Sequence, residues 1–226
     1  MKTKKIEFDN RTLLIAETIK GLTSEGRKVY SKVLNFEPDV VALPLDREGI
    51  RAIIQWINKK KKEKVLLSNY EVLYAKHLSR FGKVEVPAPS FVESIKAAQE
   101  IHKSLFALDM DAGQHAQVYV ENVTSFQLFL HSLRFKLFSL KKFKAKTARE
   151  FAIEYDAAIN TIKGLRKVEQ AREKYMAHQL YRLCKSFPKV LAVLEVERAE
   201  GVSTVFRNLI QQDCEVIPVK NELIVP

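Results

Sequence analysis

The chain has 226 residues, 46% of them apolar and 29% charged, an ordinary balance for a folded domain long enough to bury a sizeable core. No apolar stretch reaches the roughly 18–20 residues that a bilayer-spanning helix needs. The net charge is +11, which permits attraction to nucleic acid or anionic lipid.

The N-terminus is basic but has no apolar core behind it, so a secretory signal is not expected and a cytoplasmic protein is. Cys184 and Cys214 have no metal-binding spacing and read as reduced, buried thiols. The surface is lysine-rich and glycine-poor, which suits a thermophile. Lysines gather at 59–64 and 136–146. Both runs read as solvated helix surface.

Residues 5 to 18 read as strand, an edge piece with Ile6 and Phe8 and then the buried Leu13 to Ala16. Thr23 or Ser24 caps a helix with Val29, Val33 and Leu34 inside, and Pro38 ends it. Val40 to Leu45 is a second buried strand, with Pro44 marking its end. Asp46 caps a helix carrying Ile50, Ile53, Ile54 and Ile57 at helical spacing. Val65 to Phe81 reads as helix with Val72, Leu73 and Leu78 buried. Lys83 to Ser90 is a connector. Ser90, with Glu93 three residues later, has the capping-box pattern and opens a helix to about Ser104.

Leu105 to Leu108 is a third buried strand, ending in Asp109, Met110 and Asp111. Gln117 to Val120 leads into a helical region that is apolar nearly all round. Its Phe126, Phe129 and Leu133, rimmed by Lys136, Lys141 and Lys142, form a candidate surface for a protein partner or a second copy of the chain, in a homodimer. Residues 146–163 and 165–186 read as two more helices. Val190 to Leu194 is a strand buried on both faces. A helix at 202–210 and a last strand at 216–219 follow. Strands alternating with helices predict one α/β domain over 1–226. Its central sheet is mixed and mainly parallel, flanked by helices, with a helical insertion at about 121–165.

The chain is organised around the run Val190 to Leu194. It breaks abruptly into Glu195, Glu197, Arg198 and Glu200, with Gly201 behind. A near copy occurs early: Leu13 to Ala16, then Glu17, Lys20 and Gly21. Ligands of open α/β folds sit at the carboxyl ends of strands, so both strand ends are expected to face one crevice.

Four segments carry a family resemblance. They are Leu14 to Leu45, Pro89 to Asp111, Ala171 to Ala177 (AREKYMA) and Pro188 to Val202 (PKVLAVLEVERAEGV). Together they resemble the TraB/PrgY family of pheromone-shutdown proteins, which is related to the Tiki metalloproteases and shares their EreA/ChaN-like fold. The resemblance implies a metal-dependent hydrolase with two Gly-x-x-His turns. Here those turns read Glu17-Thr18-Ile19-Lys20 and Glu195-Val196-Glu197-Arg198. Both histidines are replaced by cations, which have no lone pair for a metal. The positions that still match are Asp46, Arg51, Asp109, Asp111, Arg172 and Tyr175.

Two functions follow from this. One is a catalytically silent TraB-like protein without a cofactor. Its Glu17, Lys20, Glu195, Glu197 and Arg198 form an ion-pair network in the old crevice, and it acts by binding or self-association. The other is a hydrolase of anionic or peptide substrates. Its Mg²⁺ or Mn²⁺ is held by Glu17, Asp46, Asp109, Asp111, Glu195 and Glu197, with Lys20 and Arg198 gripping substrate. A weaker third reading has Lys136, Lys141, Lys142, Lys144 and Lys146, interleaved with Phe135, Phe138 and Phe143, contacting nucleic acid. His115, in a loop after Asp109 and Asp111, is the one histidine that reads as a candidate ligand, against the plainer reading of an ordinary loop histidine, and the scattered glycines form no phosphate loop.

Overall fold

Among the described residues of a computed structural model of the chain, five strands form one sheet: β1 (Lys2–Phe8), β2 (Arg11–Thr18), β3 (Val40–Leu43), β4 (Ser104–Ala107) and β5 (Lys189–Glu195), in the order β1-β2-β5-β3-β4. Residues 1–59, 66–212 and 222–226 are described, with the backbone alone at 135–137. β1 is antiparallel to β2, and the remaining pairings are parallel. The fold is the expected α/β type with a mixed, mainly parallel sheet.

The β1–β2 hairpin turns through Asp9 and Asn10, at φ 45° and 59°. Two consecutive left-handed residues make the turn whose twist matches the strands it joins, and Asp and Asn tolerate that region. Helices cover both faces of the inner strands, which is why those strands are apolar without alternation. On one face Leu14, Val41, Leu191 and Val193 pack against α1 (Thr23–Phe36) and α4 (Pro89–Glu100). On the other, Leu13, Ile15, Val190 and Leu194 pack against α8 (Lys163–Ser186) and α9 (Ala199–Gln212). Gly26 lets α1 approach α4, since a Cβ there would lie 2.9 Å from the Pro89 carbonyl oxygen.

The remaining helices are α2 (Arg47–Asn58), α3 (Asn69–Leu78), α5 (Ala112–Asn122), α6 (Ser125–Ser139) and α7 (Ala148–Ile159). A small separate core joins Leu22, Leu78, Phe143, Phe151 and Tyr155. It ties α3 and α7 together.

Several local expectations are corrected. Ser90 does not cap α4: the helix opens at Pro89 after Ala88, and Ser90 is buried. Proline at the first helical position lacks one of the N–H groups that a cap would satisfy, and its φ is preset for the helix. Glu93 turns instead to Lys96, at 2.7 Å. Neither Thr23 nor Ser24 caps α1; Leu22 stands at the cap, and the Thr23 hydroxyl donates to the Lys83 carbonyl. Val72 is exposed rather than buried, and α3 starts only at Asn69, behind a Ser68–Glu71 capping box. His115 lies inside α5, capped by Asp111, and not in a loop, and residues 117–120 belong to the same helix. Cys214, the strand expected at 216–219 and most of the 59–64 lysine run fall outside the described residues. No helix among the described residues is long and apolar enough to cross a membrane.

Candidate functional site

Thr18 and Glu195 are partners in the parallel β2–β5 register, so the carboxyl ends of the two strands lie side by side. The Val196 amide donates to the Thr18 carbonyl at 2.9 Å, and the Arg198 amide donates to the Glu195 carbonyl at 3.0 Å. The chain thereby turns sharply after β5 and enters α9 with Arg198 at its start. A cation at a helix N-terminus opposes the helix dipole. Acidic side chains offset it. Arg198 is 6% exposed and is paired with Asp156 of α7, with Glu173 at 2.8 Å and with Glu169 at 3.4 Å.

Arg172, one turn along α8, donates to Asp109 at 2.5 Å and to Glu169 at 2.9 Å. Lys20 lies 3.9 Å from both Glu195 and Glu71. Gly201 leaves room for this network: a Cβ there would run into the Glu173 carboxylate. Burial pushes the pKa values of Asp156 and Glu173 up, although Arg198 pulls against it.

Above these charges a cavity of about 300 Å³ opens. Lys20, Arg172, Glu195, Glu197 and Arg198 line it from the sheet side, and Tyr70, Tyr74 and Tyr155 from α3 and α7. The rings of Tyr74 and Tyr155 meet edge-on at 5.1 Å, and the Tyr155 hydroxyl donates to the Tyr70 carbonyl at 2.5 Å. Glu197 Oε2 and the Tyr74 hydroxyl are closed off from solvent without a hydrogen-bond partner. Burial, with Glu195 adding to it, pushes Glu197 up to about 8.

The other expected site residues lie elsewhere. Glu17 is turned away from the cavity, onto Lys4 at 3.3 Å and Arg149 at 2.5 Å. Its strand neighbour Thr18 points the opposite way, as the two-residue period demands. Asp46, Arg51, Asp109, Asp111 and Tyr175 line a second cavity of about 310 Å³. Two of these carboxylates are helix caps: Asp46 accepts from the Gly49 amide, and Asp111 from the Gln114 amide, each at 2.8 Å. The single expected crevice is thus two cavities, with the Arg172–Asp109 pair between them. Among the described residues, no group of three His, Cys, Asp or Glu side chains is placed to hold a metal ion.

On α6, Phe126, Phe129 and Leu133 are exposed. Lys141 and Lys142 follow the helix and are exposed too, with Lys141 4.0 Å from Glu154. The side chain of Lys136 falls outside the described residues, as does that of Phe135. Phe143 is buried and Phe138 packs against it. These rings are core, which removes them as a base-stacking platform.

The sequence reading missed Asp156, Glu169, Glu173 and the three cavity tyrosines. Glu169, Arg172 and Glu173 do carry a signal, since spacings of three and four place them on one helix face. Nothing local tied them to Arg198. No family model matches the chain, and no curated protein matches it.

Proposed function

We propose that this chain is a TraB-like α/β protein without metal chemistry, acting by binding a ligand in the cavity at the ends of β2 and β5. One observation carries the reading. Arg198 stands where the resemblance expects a metal-binding imidazole, and it is enclosed by Asp156, Glu169 and Glu173. A guanidinium cannot ligate a metal, and these carboxylates are engaged as its counter-ions. The tyrosine-walled space beside them is at the lower end of the roughly 300–1,000 Å³ typical of ligand pockets. The carboxylates proposed for a Mg²⁺ or Mn²⁺ hydrolase are dispersed over separate ion pairs and helix caps, which favours binding over hydrolysis. Cytoplasmic placement belongs to the same proposal.

Thermal denaturation with Mg²⁺, Mn²⁺, Co²⁺ and Zn²⁺ tests this function. No saturable stabilisation is expected. A stoichiometric shift with any of them, abolished by substitution at Glu195 or Glu197, overturns it.

The exposed Phe126, Phe129 and Leu133 on α6 support a second, compatible activity, self-association through that helix. Their spacing of three and four residues is that of a helix seam. Sedimentation is expected to show a dimer that Phe129→Asp dissociates; a wild-type monomer at high concentration removes this reading.

A further inference from the structure

We propose that the cavity at the ends of β2 and β5 binds a small organic cation, an aliphatic amine, whose ammonium group sits on Glu197 and whose chain lies among Tyr70, Tyr74 and Tyr155. This rests on the binding function above and names its ligand class.

The protein as a whole carries +11, yet this cavity is lined by Glu71, Glu85, Asp156, Glu169, Glu195 and Glu197 against Lys20, Arg172 and Arg198. The cations are committed. Arg198 and Arg172 are held by carboxylates on several sides, and Lys20 lies between Glu71 and Glu195. Among the described residues, an incoming anion would find no unshared positive group and an excess of negative ones.

The second observation is independent of that excess. Glu197 and Tyr74 line the cavity, and among the described residues Glu197 Oε2 and the Tyr74 hydroxyl are buried without a hydrogen-bond partner. A sealed acceptor without a donor is costly, and an N–H donor removes the cost. An ammonium supplies three such donors. Aromatic faces attract cations through their quadrupole, and the cavity presents three tyrosines. A divalent metal would need several converging oxygen atoms instead.

Protonation agrees with this assignment. Glu197 is faced by Glu195 on its own turn, by Asp156 from α7, by Tyr74 from α3 and by Arg198, and the first two acids help burial keep its proton on. Amine binding ionises Glu197 and passes that proton to the buffer. Affinity therefore rises as pH increases toward about 8.

The test is calorimetry and thermal shift on the full chain with putrescine, using 1,4-butanediol and succinate as neutral and anionic controls and Mn²⁺ as a fourth arm. Millimolar putrescine is expected to stabilise the wild type, with proton release, and the controls are not. Glu197→Gln is expected to lose roughly tenfold or more in affinity, with Tyr74→Phe as a milder variant should the first fold poorly. Absence of any putrescine effect on the wild type, or undiminished binding by both variants, overturns the proposal. Binding of butanediol or succinate in its place overturns the amine assignment and leaves the binding function standing. Saturable Mn²⁺ uptake overturns the binding function itself.

Discussion

Arg172 and Arg198 meet on one oxygen: Glu169 Oε2 lies 2.9 Å from Arg172 Nη1 and 3.4 Å from Arg198 Nε. The two guanidiniums come from α8 and from the turn after β5, and like charges this close repel unless an anion stands between them. Asp109 on one side, with Asp156 and Glu173 on the other, completes a chain of alternating charge across the sheet end. Pairing of this kind is what makes burial of so many ions tolerable.

Removing one member of that chain leaves its partners uncompensated. Arg198→Met is expected to destabilise the fold by about 3–5 kcal/mol, the usual cost of breaking a buried pair. Urea denaturation measures it. Arg198→Lys is expected to recover only part, because an ammonium cannot reach Asp156, Glu169 and Glu173 in the planar geometry of a guanidinium. A loss below about 1 kcal/mol, the level of an exposed pair, contradicts the network.

Gly201 serves packing, not backbone freedom. It lies in the first turn of α9, where alanine would ordinarily favour the helix. The added methyl would strike the Glu173 carboxylate and push it off Arg198. Gly201→Ala is therefore expected to cost about 1–3 kcal/mol, as overpacking does. Combined with Glu173→Gln it should cost less than the sum of the two, which a double-mutant cycle reads directly.

Stability should fall as the solution is made more basic through neutrality. The pKa of Glu197 is raised from 4.5 to about 8 in the folded protein, so folding takes up a proton between those values. The stabilisation is complete below 4.5 and is lost as pH rises toward about 8. Asp156 and Glu173 are shifted in the same direction. Melting temperatures across this window check the sign. Glu197→Gln should flatten the slope, and a wild-type curve that rises with pH there contradicts it.

The hairpin turn at Asp9–Asn10 offers a test far from the cavity. Asn10 has φ 59°, and a β-branched residue resists that region. Asn10→Val is expected to lose about 1–2 kcal/mol, with the binding properties of the cavity unchanged.

Much of the sheet was legible in the residues. Leu13 to Ala16, Val40 to Leu43 and Val190 to Leu194 are apolar without interruption, and burial on both faces of a parallel sheet is what such runs reflect. Asp46 capping α2 was equally plain, because a cap acts within one turn. Ser90 shows the limit of the same rule. Its spacing from Glu93 fits a capping box, but Pro89 starts the helix one residue earlier and packing buries the serine.

The sequence by itself determined that charges would crowd the ends of β2 and β5. Only the tertiary structure decided which carboxylates answer the cations among them. Glu17 is one residue from Thr18 in β2, yet the strand's alternation sends it to Lys4 and Arg149. Asp156, Glu169 and Glu173 arrive from helices that precede β5 in the chain, with Asp156 42 residues from Arg198. Charge attraction carries no memory of sequence distance. It acts between whatever groups the folded helices bring within a few ångströms, and that proximity is set by the packing of α7 and α8 rather than by any local pattern.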